Sequence, residues 1–235
     1  MKYISLSKYP GKQGQYYYTE FFKLLNIDAT YEPQGTDNLE QSIQSALDQG
    51  VKGISVSMPY KQDIIKYLDE IDLDVYEYNT CNTVVIDNGL LKGYNCDRAG
   101  ADHVLSFIEP GWSVSVLGAG SMGSMIANMW PDRRVYAIRN GNWMYRHNPA
   151  DVYINCTSMG TATSASPLDY IPNDTKLVID LAVNPGKLAE QCANIGVKYI
   201  SGQEFYKYQF LDQFSRYFGF RPSPESYDVI RNNRT

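Results

Sequence analysis

The stretch WSVSVLGAGSMGSMIANMW, residues 112–130, constrains this chain more than any other. An apolar run ends in Gly118-Ala119-Gly120-Ser121-Met122-Gly123, and a helical pattern follows at once. The spacing is GxGxxG, in the strand–turn–helix context that a dinucleotide site requires. The first glycine permits the tight turn, the second lets backbone approach a pyrophosphate, and the third lets helix pack closely on strand. The helix N-terminus then offers free amide N–H groups and partial positive charge to the phosphates. A glycine turn without a ligand is the alternative.

The rest of the chain alternates in the same way. KYISLS (2–7), GISVSM (53–58), RVYAI (134–138), DVYINC (151–156), KLVIDLA (176–182) and VKYI (197–200) read as strands. Helical periodicity covers 16–25, 60–71, 97–107 and 204–218, and a helix from Leu39 is predicted to be capped by Asp37 and stopped by Gly50. Asp87-Asn88-Gly89 between two β-type runs predicts a hairpin within 82–95. Such alternation predicts an α/β chain with a parallel sheet. Pro110-Gly111 marks a boundary. Only about a dozen residues separate RVYAI from DVYINC, too few for a crossover helix with two loops, so Asn142-Trp143-Met144-Tyr145 reads as an irregular connection.

The length of 235 residues permits one large domain or two small ones. A net charge of −5 argues against nucleic acid or an anionic membrane as partner. The chain shows no membrane-length apolar run and no cleavable signal pattern. Cys81, Cys96, Cys156 and Cys192 are scattered and form no CxxC, so neither a disulfide framework nor a metal site is predicted, and a reducing cytoplasm fits. The 20 tyrosines have no functional explanation at this level. NAD-selective sites place an acid at the end of the second strand, some twenty residues past the glycine loop. Here Ile138-Arg139-Asn140 stands instead. Arg139 reads either as a partner for a 2′-phosphate, which favours NADP over NAD, or as an exposed loop arginine.

Three further stretches, VSMPYK (56–61), NTVVIDNGLLKGYNCD (82–97) and INCTSMG (154–160), together resemble the shikimate/quinate dehydrogenase family, with Asp180-Leu181 and Asn184-Pro185 matching another family stretch. The resemblance implies two α/β domains around a cleft: a substrate domain of residues 1–98 plus about 204–235, and a shortened Rossmann-type domain of 99–203. It implies reversible hydride transfer between NADP(H) and a cyclic hydroxy acid such as shikimate, by Lys61 and Asp97 as catalytic residues. Lys12, Ser57, Asn82 and Gln209 are the implied substrate contacts. Gly118 to Gly123, Arg139, Asn155, Thr157 and Ser158 are the implied cofactor contacts. A monomer and a homodimer both remain open.

The chemistry is consistent with that implication. Alcohol oxidation needs a group that takes the hydroxyl proton as hydride leaves. Neither histidine lies in a motif, which makes a lysine the candidate. A free lysine titrates near about 10.4; desolvation lowers that value and a neighbouring carboxylate raises it. As a surface residue, Lys61 would sit in the first turn of the helix predicted for 60–71, where the dipole disfavours a cation. Asp97 reads as an orienting carboxylate, as a helix N-cap, or as both. Asn82 and Gln209 read equally as hydroxyl partners or as structural amides, and Ser57 either touches substrate or only sits in its strand.

Several positions depart from the family pattern. Its Ser-x-Ser carboxylate grip is replaced by Lys12-Gln13-Gly14, in which Lys12 reads either as a point charge for the carboxylate or as an exposed loop lysine, and Gly14 would make room for a larger substituent. Val183, Glu204 and Arg98 replace a tyrosine and two glycines. These departures keep a relative with another substrate (quinate or an amino analogue) and a cofactor-binding sensor in view.

Overall fold

The computed structural model describes residues 1–130, 133–136, 138–139, 142–143, 149–157, 159, 165–184 and 186–234. In chain order the elements are β1 (Lys2–Ser7), α1 (Gln13–Leu25), β2 (Thr30–Gly35), α2 (Leu39–Asp48), β3 (Gly53–Val56), β4 (Glu70–Ile71), α3 (Leu73–Tyr78), β5 (Thr83–Asp87), β6 (Leu90–Tyr94) and α4 (Asp97–Leu105). There follow β7 (Val114–Leu117), α5 (Ser121–Met129), β8 (Arg133–Tyr136), β9 (Ile138–Arg139), β10 (Asn142–Trp143), β11 (Val152–Asn155), β12 (Leu177–Asp180), α6 (Lys187–Ile195), β13 (Lys198–Ser201), α7 (Gly202–Phe218) and α8 (Pro224–Asn232). The chain divides into two compact units, Met1–Arg98 with Phe210–Thr235, and Ala99–Gln209.

The first unit holds a six-stranded mixed sheet, ordered β2-β1-β3-β5-β6-β4. β1 runs parallel to β2 and β3, β5 runs antiparallel to β3, and β6 antiparallel to β5. The alternation of a strand sends successive side chains to opposite faces. From β1 and β3, Ile4, Leu6, Ile54 and Val56 join an aliphatic core with Leu39, Ile43 and Ala46 of α2. Tyr3 of β1 instead packs on Phe22, Tyr217 and Phe218. That layer accounts for much of the tyrosine excess. Tyr17 of α1 stacks on Tyr227 of α8 at 4.4 Å between centroids, and Tyr18 on Tyr31 of β2 at 4.2 Å. Phe21, Phe210 and Phe214 fill the space between helices.

Three expectations for this unit need correction. Residues 60–71 form no continuous helix: a 3₁₀ helix covers Asp63–Tyr67, and β4 pairs with β6 at the sheet edge. Lys61 precedes that short turn, so the dipole argument for its role does not apply. The cap of α2 is Asn38, whose Oδ1 accepts from the Gln41 amide at 3.1 Å, and not Asp37. Gly50, at φ +65°, does end the helix. The hairpin forms as expected, with Asn88 at φ 50° and Gly89 at φ 84° giving the paired positive φ of a tight two-residue turn. Strand β2 escaped detection because Pro33 interrupts it. An edge strand tolerates a residue without an N–H. Helix α8 also went unread, although Ser223 followed by Pro224 is a legible start.

The second unit carries a five-stranded, fully parallel sheet ordered β13-β12-β11-β7-β8. Its central strands β7, β11 and β12 are buried along their whole length, as a sheet covered on both faces demands. Between β8 and β11 the described residues contain only the two-residue antiparallel pair β9–β10, where a crossover helix would ordinarily run. Met144 and Tyr145 lie outside the described residues.

Asp151 fastens the amino edge of this sheet. Its carboxylate takes the Lys176 ammonium at 2.8 Å and both the backbone N–H and the hydroxyl of Ser113 at 2.8 Å. The Lys176 contact, followed by the Ser113 bonds, holds its pKa at about 2 against an ordinary 3.8. A depressed acid contributes its stabilisation in full above the unfolded value and loses it as pH falls through the folded one. Asp151→Asn should therefore cost about 1 kcal/mol at pH 7, after allowance for solvent screening. In urea titrations that difference should shrink as pH drops from about 4 to about 2. A pH-independent difference would remove the ion pair from the explanation.

Candidate active site

Strand direction gathers the candidate residues of the first unit. The carboxyl ends of β1, β3 and β6 and the amino end of β5 share one sheet edge. Lys12 lies in the connection leaving β1, Ser57 and Lys61 in the segment leaving β3, Asn82 just before β5, and Asp97 just after β6. Two backbone bonds fix the β3 exit: Val56 N donates to Asn82 O at 2.8 Å, and Cys81 N donates to Lys61 O at 2.8 Å. The Tyr60 hydroxyl also donates to Thr36 O at 2.5 Å, which seats the preceding residue.

On this frame Lys61 Nζ donates to Asp97 Oδ2 at 2.5 Å. Asn82 Nδ2 donates to the other oxygen, Oδ1, at 2.8 Å. The Asp97 side chain is 8% exposed and that of Lys61 21%, so the carboxylate is enclosed and the lysine side chain is partly exposed. Both Asp97 oxygens are thus committed to side chains, and the helix-cap reading of Asp97 gives way to this one. Asn82 is itself buried, and its Oδ1 accepts from Cys96 N at 2.9 Å and from the Thr83 hydroxyl at 2.7 Å. Chemically, the arrangement is an amine on a partly exposed side chain, oriented by a carboxylate whose second oxygen is held by Asn82. Such a group can accept a proton from, or return one to, a hydroxyl placed against it.

The remaining substrate candidates are less engaged. Lys12 is the exposed N-cap residue of α1, with no side-chain capping bond. Ser57 is exposed at the end of β3. The space at Gly14 is not free: a Cβ there would stand 3.2 Å from the Tyr31 hydroxyl. The expectation of room for a larger substituent is therefore corrected. Gln209 is half-buried on α7, and the glutamine that joins the site network is Gln213, one turn later. Arg98 turns to Tyr78 at 3.0 Å and Asp74 at 3.5 Å. Glu204 faces Lys207 at 3.3 Å and His103 at 3.5 Å. Sequence reading missed Thr83 and Gln213. Their signal was weak, because a buried threonine in a strand and a helical glutamine are commonplace.

The glycine loop in the second unit has the form that a pyrophosphate needs. Gly118 has φ +106°, a conformation closed to other residues at low cost. A Cβ at Gly123 would collide with the Gly118 carbonyl oxygen, so helix and turn touch through bare backbone. Gly120, the N-cap of α5, has open space within 4 Å of its Cβ position and supplies no side-chain cap. Ala119, Gly120 and Ser121 are exposed, and Met122 is half-buried. The start of α5 thus combines an exposed turn, room beside Gly120 and no side-chain cap, which fits a dinucleotide phosphate.

Asn155 and Thr157 serve the turn after β11. Asn155 Oδ1 accepts from Thr157 N at 3.0 Å and Thr157 Oγ1 at 2.7 Å, while its Nδ2 reaches Asp180 Oδ1 at 2.9 Å. Burial raises the Asp180 pKa, partly offset by bonds from Ala182, Asn155 and Tyr199. Arg139 stands in β9. Ser158 lies outside the described residues.

Comparison with known proteins is consistent across sequence and fold. The family model described as the shikimate dehydrogenase substrate binding domain matches residues 13–84. A shikimate dehydrogenase (NADP(+)) of Pyrococcus abyssi is 31% identical over 229 residues, covering 87% of this chain and 86% of the relative. A shikimate dehydrogenase-like protein of Haemophilus influenzae is 25% identical over 250 residues, covering 94% and 92%. A solved shikimate 5-dehydrogenase from Thermus thermophilus, in complex with NADP(H) and shikimate, shares the fold at a TM-score of 0.83 with 20% identity, covering 99% of this chain and 98% of that one.

Gly123→Ala should force the α5 turn away from β7. The expected result is a loss of about 1–3 kcal/mol in stability, with weakened dinucleotide binding by fluorescence titration. A variant of unchanged stability and affinity would show that the turn is not close-packed.

Proposed function

Because this chain belongs to the shikimate dehydrogenase family, we propose that it interconverts shikimate and 3-dehydroshikimate, or a similar cyclic hydroxy acid and its ketone, with Lys61 and Asp97 handling the proton. At the coarser level the chain is an NADP-dependent oxidoreductase acting on a CH–OH group. NADP(H), when bound, supplies or accepts the hydride. The observation that carries the reading is the ion pair of Lys61 with a carboxylate whose second oxygen is already held by Asn82.

The roles follow from that geometry. Lys61 stands where it can exchange a proton with a substrate hydroxyl. Asp97 fixes the direction of the amine and has its second oxygen anchored, so little reorganisation accompanies the transfer. Cofactor phosphate falls to the backbone amides of the turn from Ala119 to Met122, and Arg139 is the candidate for a 2′-phosphate. Asn155, Thr157 and Ser158 shape the neighbouring turn, and Gln209 and Ser57 remain candidates for ring hydroxyls.

One observation favours a substrate other than shikimate itself. The position of the family's paired serines carries Lys12-Gln13-Gly14, and the Tyr31 ring fills the space beside Gly14. A carboxylate at this corner would meet a flexible ammonium in place of two directional hydroxyls. Quinate or an amino analogue fits this second reading.

NADPH-coupled absorbance assays with a panel of cyclic hydroxy acids and their ketones separate the two. Lys61→Ala should lower kcat by about 10²–10⁴-fold and leave NADPH affinity nearly unchanged. Near-normal turnover in that variant would end the assignment of Lys61. Lys12→Ala should chiefly raise KM for an acidic substrate, by about tenfold for one lost charge contact. A KM that does not move would take Lys12 out of the pocket.

A further inference from the structure

The side chain that anchors Asp97 is itself oriented by a buried hydrogen-bond relay that crosses the first unit. Gln213 of α7 is 5% exposed and has four polar partners. Its Oε1 accepts from the Tyr18 hydroxyl and from the Ser55 hydroxyl, each at 3.1 Å. Its Nε2 donates to Asn82 O at 3.1 Å and to Thr83 Oγ1 at 2.8 Å. The hydroxyls can donate or accept, but the Asn82 carbonyl can only accept, so Nε2 must face it and the amide has one sense. Tyr217 adds its hydroxyl to Ser55 Oγ at 3.1 Å, closing the seam between α7 and β3.

The direction then passes along the relay. Thr83 is fully buried, and its hydroxyl receives a hydrogen from Gln213. Its own hydrogen is therefore directed elsewhere, and Asn82 Oδ1 lies at 2.7 Å, with Cys96 Sγ a weaker acceptor at 3.3 Å. Cys96 N also donates to Asn82 Oδ1. With two donors on the oxygen, the Asn82 amide must turn its nitrogen to Asp97 Oδ1. The opposite amide sense would set oxygen against the carboxylate and nitrogen against two donors, which is costly in a buried site.

We propose that Thr83 and Gln213 are positioning residues for the reaction: they lock the Asn82 amide so that its N–H holds Asp97, and through Asp97 the direction of the Lys61 amine. Neither touches the reacting atoms. Both act through Asn82. The proposal rests on the reading of Lys61 and Asp97 as the proton-handling pair, and its test includes a measurement that needs no turnover.

The test uses Thr83→Val, which keeps the volume and removes the hydroxyl, and Thr83→Ser, which restores the hydroxyl. In ¹⁵N-labelled full-length protein the Asn82 carboxamide pair, assigned by its disappearance in Asn82→Asp, should exchange slowly with solvent in the unmodified chain and in Thr83→Ser. In Thr83→Val it should exchange at least about tenfold faster, as expected when a buried amide loses a partner. The same variant should lose about tenfold in kcat, with KM for the ketone within about twofold, since displacement of a catalytic group slows chemistry more than binding. Gln213→Met should repeat the pattern, and combining it with Thr83→Val should add little, because both break one relay. Unchanged amide exchange in Thr83→Val overturns the proposal. So does faster exchange with an unaltered kcat, or a Thr83→Ser variant as impaired as Thr83→Val. If the unmodified chain turns over no member of the panel, the functional reading fails, and amide exchange alone decides whether Thr83 orients Asn82.

Discussion

Asp97 is the hinge of the candidate site because both oxygens of an enclosed carboxylate must be satisfied, and among the described residues two side chains satisfy them. One is the Lys61 ammonium and the other the Asn82 amide. Burying a carboxylate is unfavourable unless it is paired and hydrogen-bonded. Asn82 must therefore stay in register at the start of β5, and Lys61 must stay in the segment leaving β3. The backbone bonds Val56 N to Asn82 O and Cys81 N to Lys61 O supply that register. A mixed sheet suits the purpose, since an antiparallel neighbour brings its amino end to the edge where parallel strands end.

Behind that edge, one face of the sheet is used in an unusual way. Strand alternation sends the aliphatic residues of β1 and β3 to α2 and leaves the other face to aromatic rings and hydroxyls. Tyrosine suits such a layer, because its ring fills volume and its hydroxyl satisfies a buried partner. Tyr18 stacks on Tyr31 while its hydroxyl bonds Gln213. The polar seam and the aromatic packing are thus built from the same residues. Tyr3, Tyr17, Tyr18, Tyr31, Tyr217 and Tyr227 thus belong to an interface between α1, α7, α8 and the sheet that is apolar in bulk and polar at its centre.

In the second unit the connection between β8 and β11 is short in sequence. The described residues place only a two-residue antiparallel pair, β9–β10, between β8 and β11. The candidate phosphate corner is built at residues 118–123. It is made by the approach of Gly123 to the Gly118 carbonyl and by the open space around Gly120. The amino edge of the sheet is fastened separately, by Asp151 against Ser113 and Lys176.

Local features carried far in this chain. The glycine loop, the Asn88-Gly89 turn and the apolar runs of the parallel strands were legible because their physics is nearly confined to a few consecutive residues: a positive φ, a two-residue reversal, full burial on both faces. Residues 60–71 misled, because the spacing of Ile64, Ile65 and Leu68 suits a helix, whereas the segment turns through a 3₁₀ helix so that β4 can pair with β6. Asn38 displaced Asp37 as a cap for a reason as local as one residue of register. What the sequence alone determined was the class of fold, the glycine turn and the types of group available for chemistry. Only the tertiary structure decided that Asp97 faces Lys61, that Gln213 and not Gln209 joins the network, and that Tyr31 stands against Gly14. Those outcomes depend on hydrogen bonds between residues up to 195 positions apart, and no local propensity encodes the direction in which a buried amide must point.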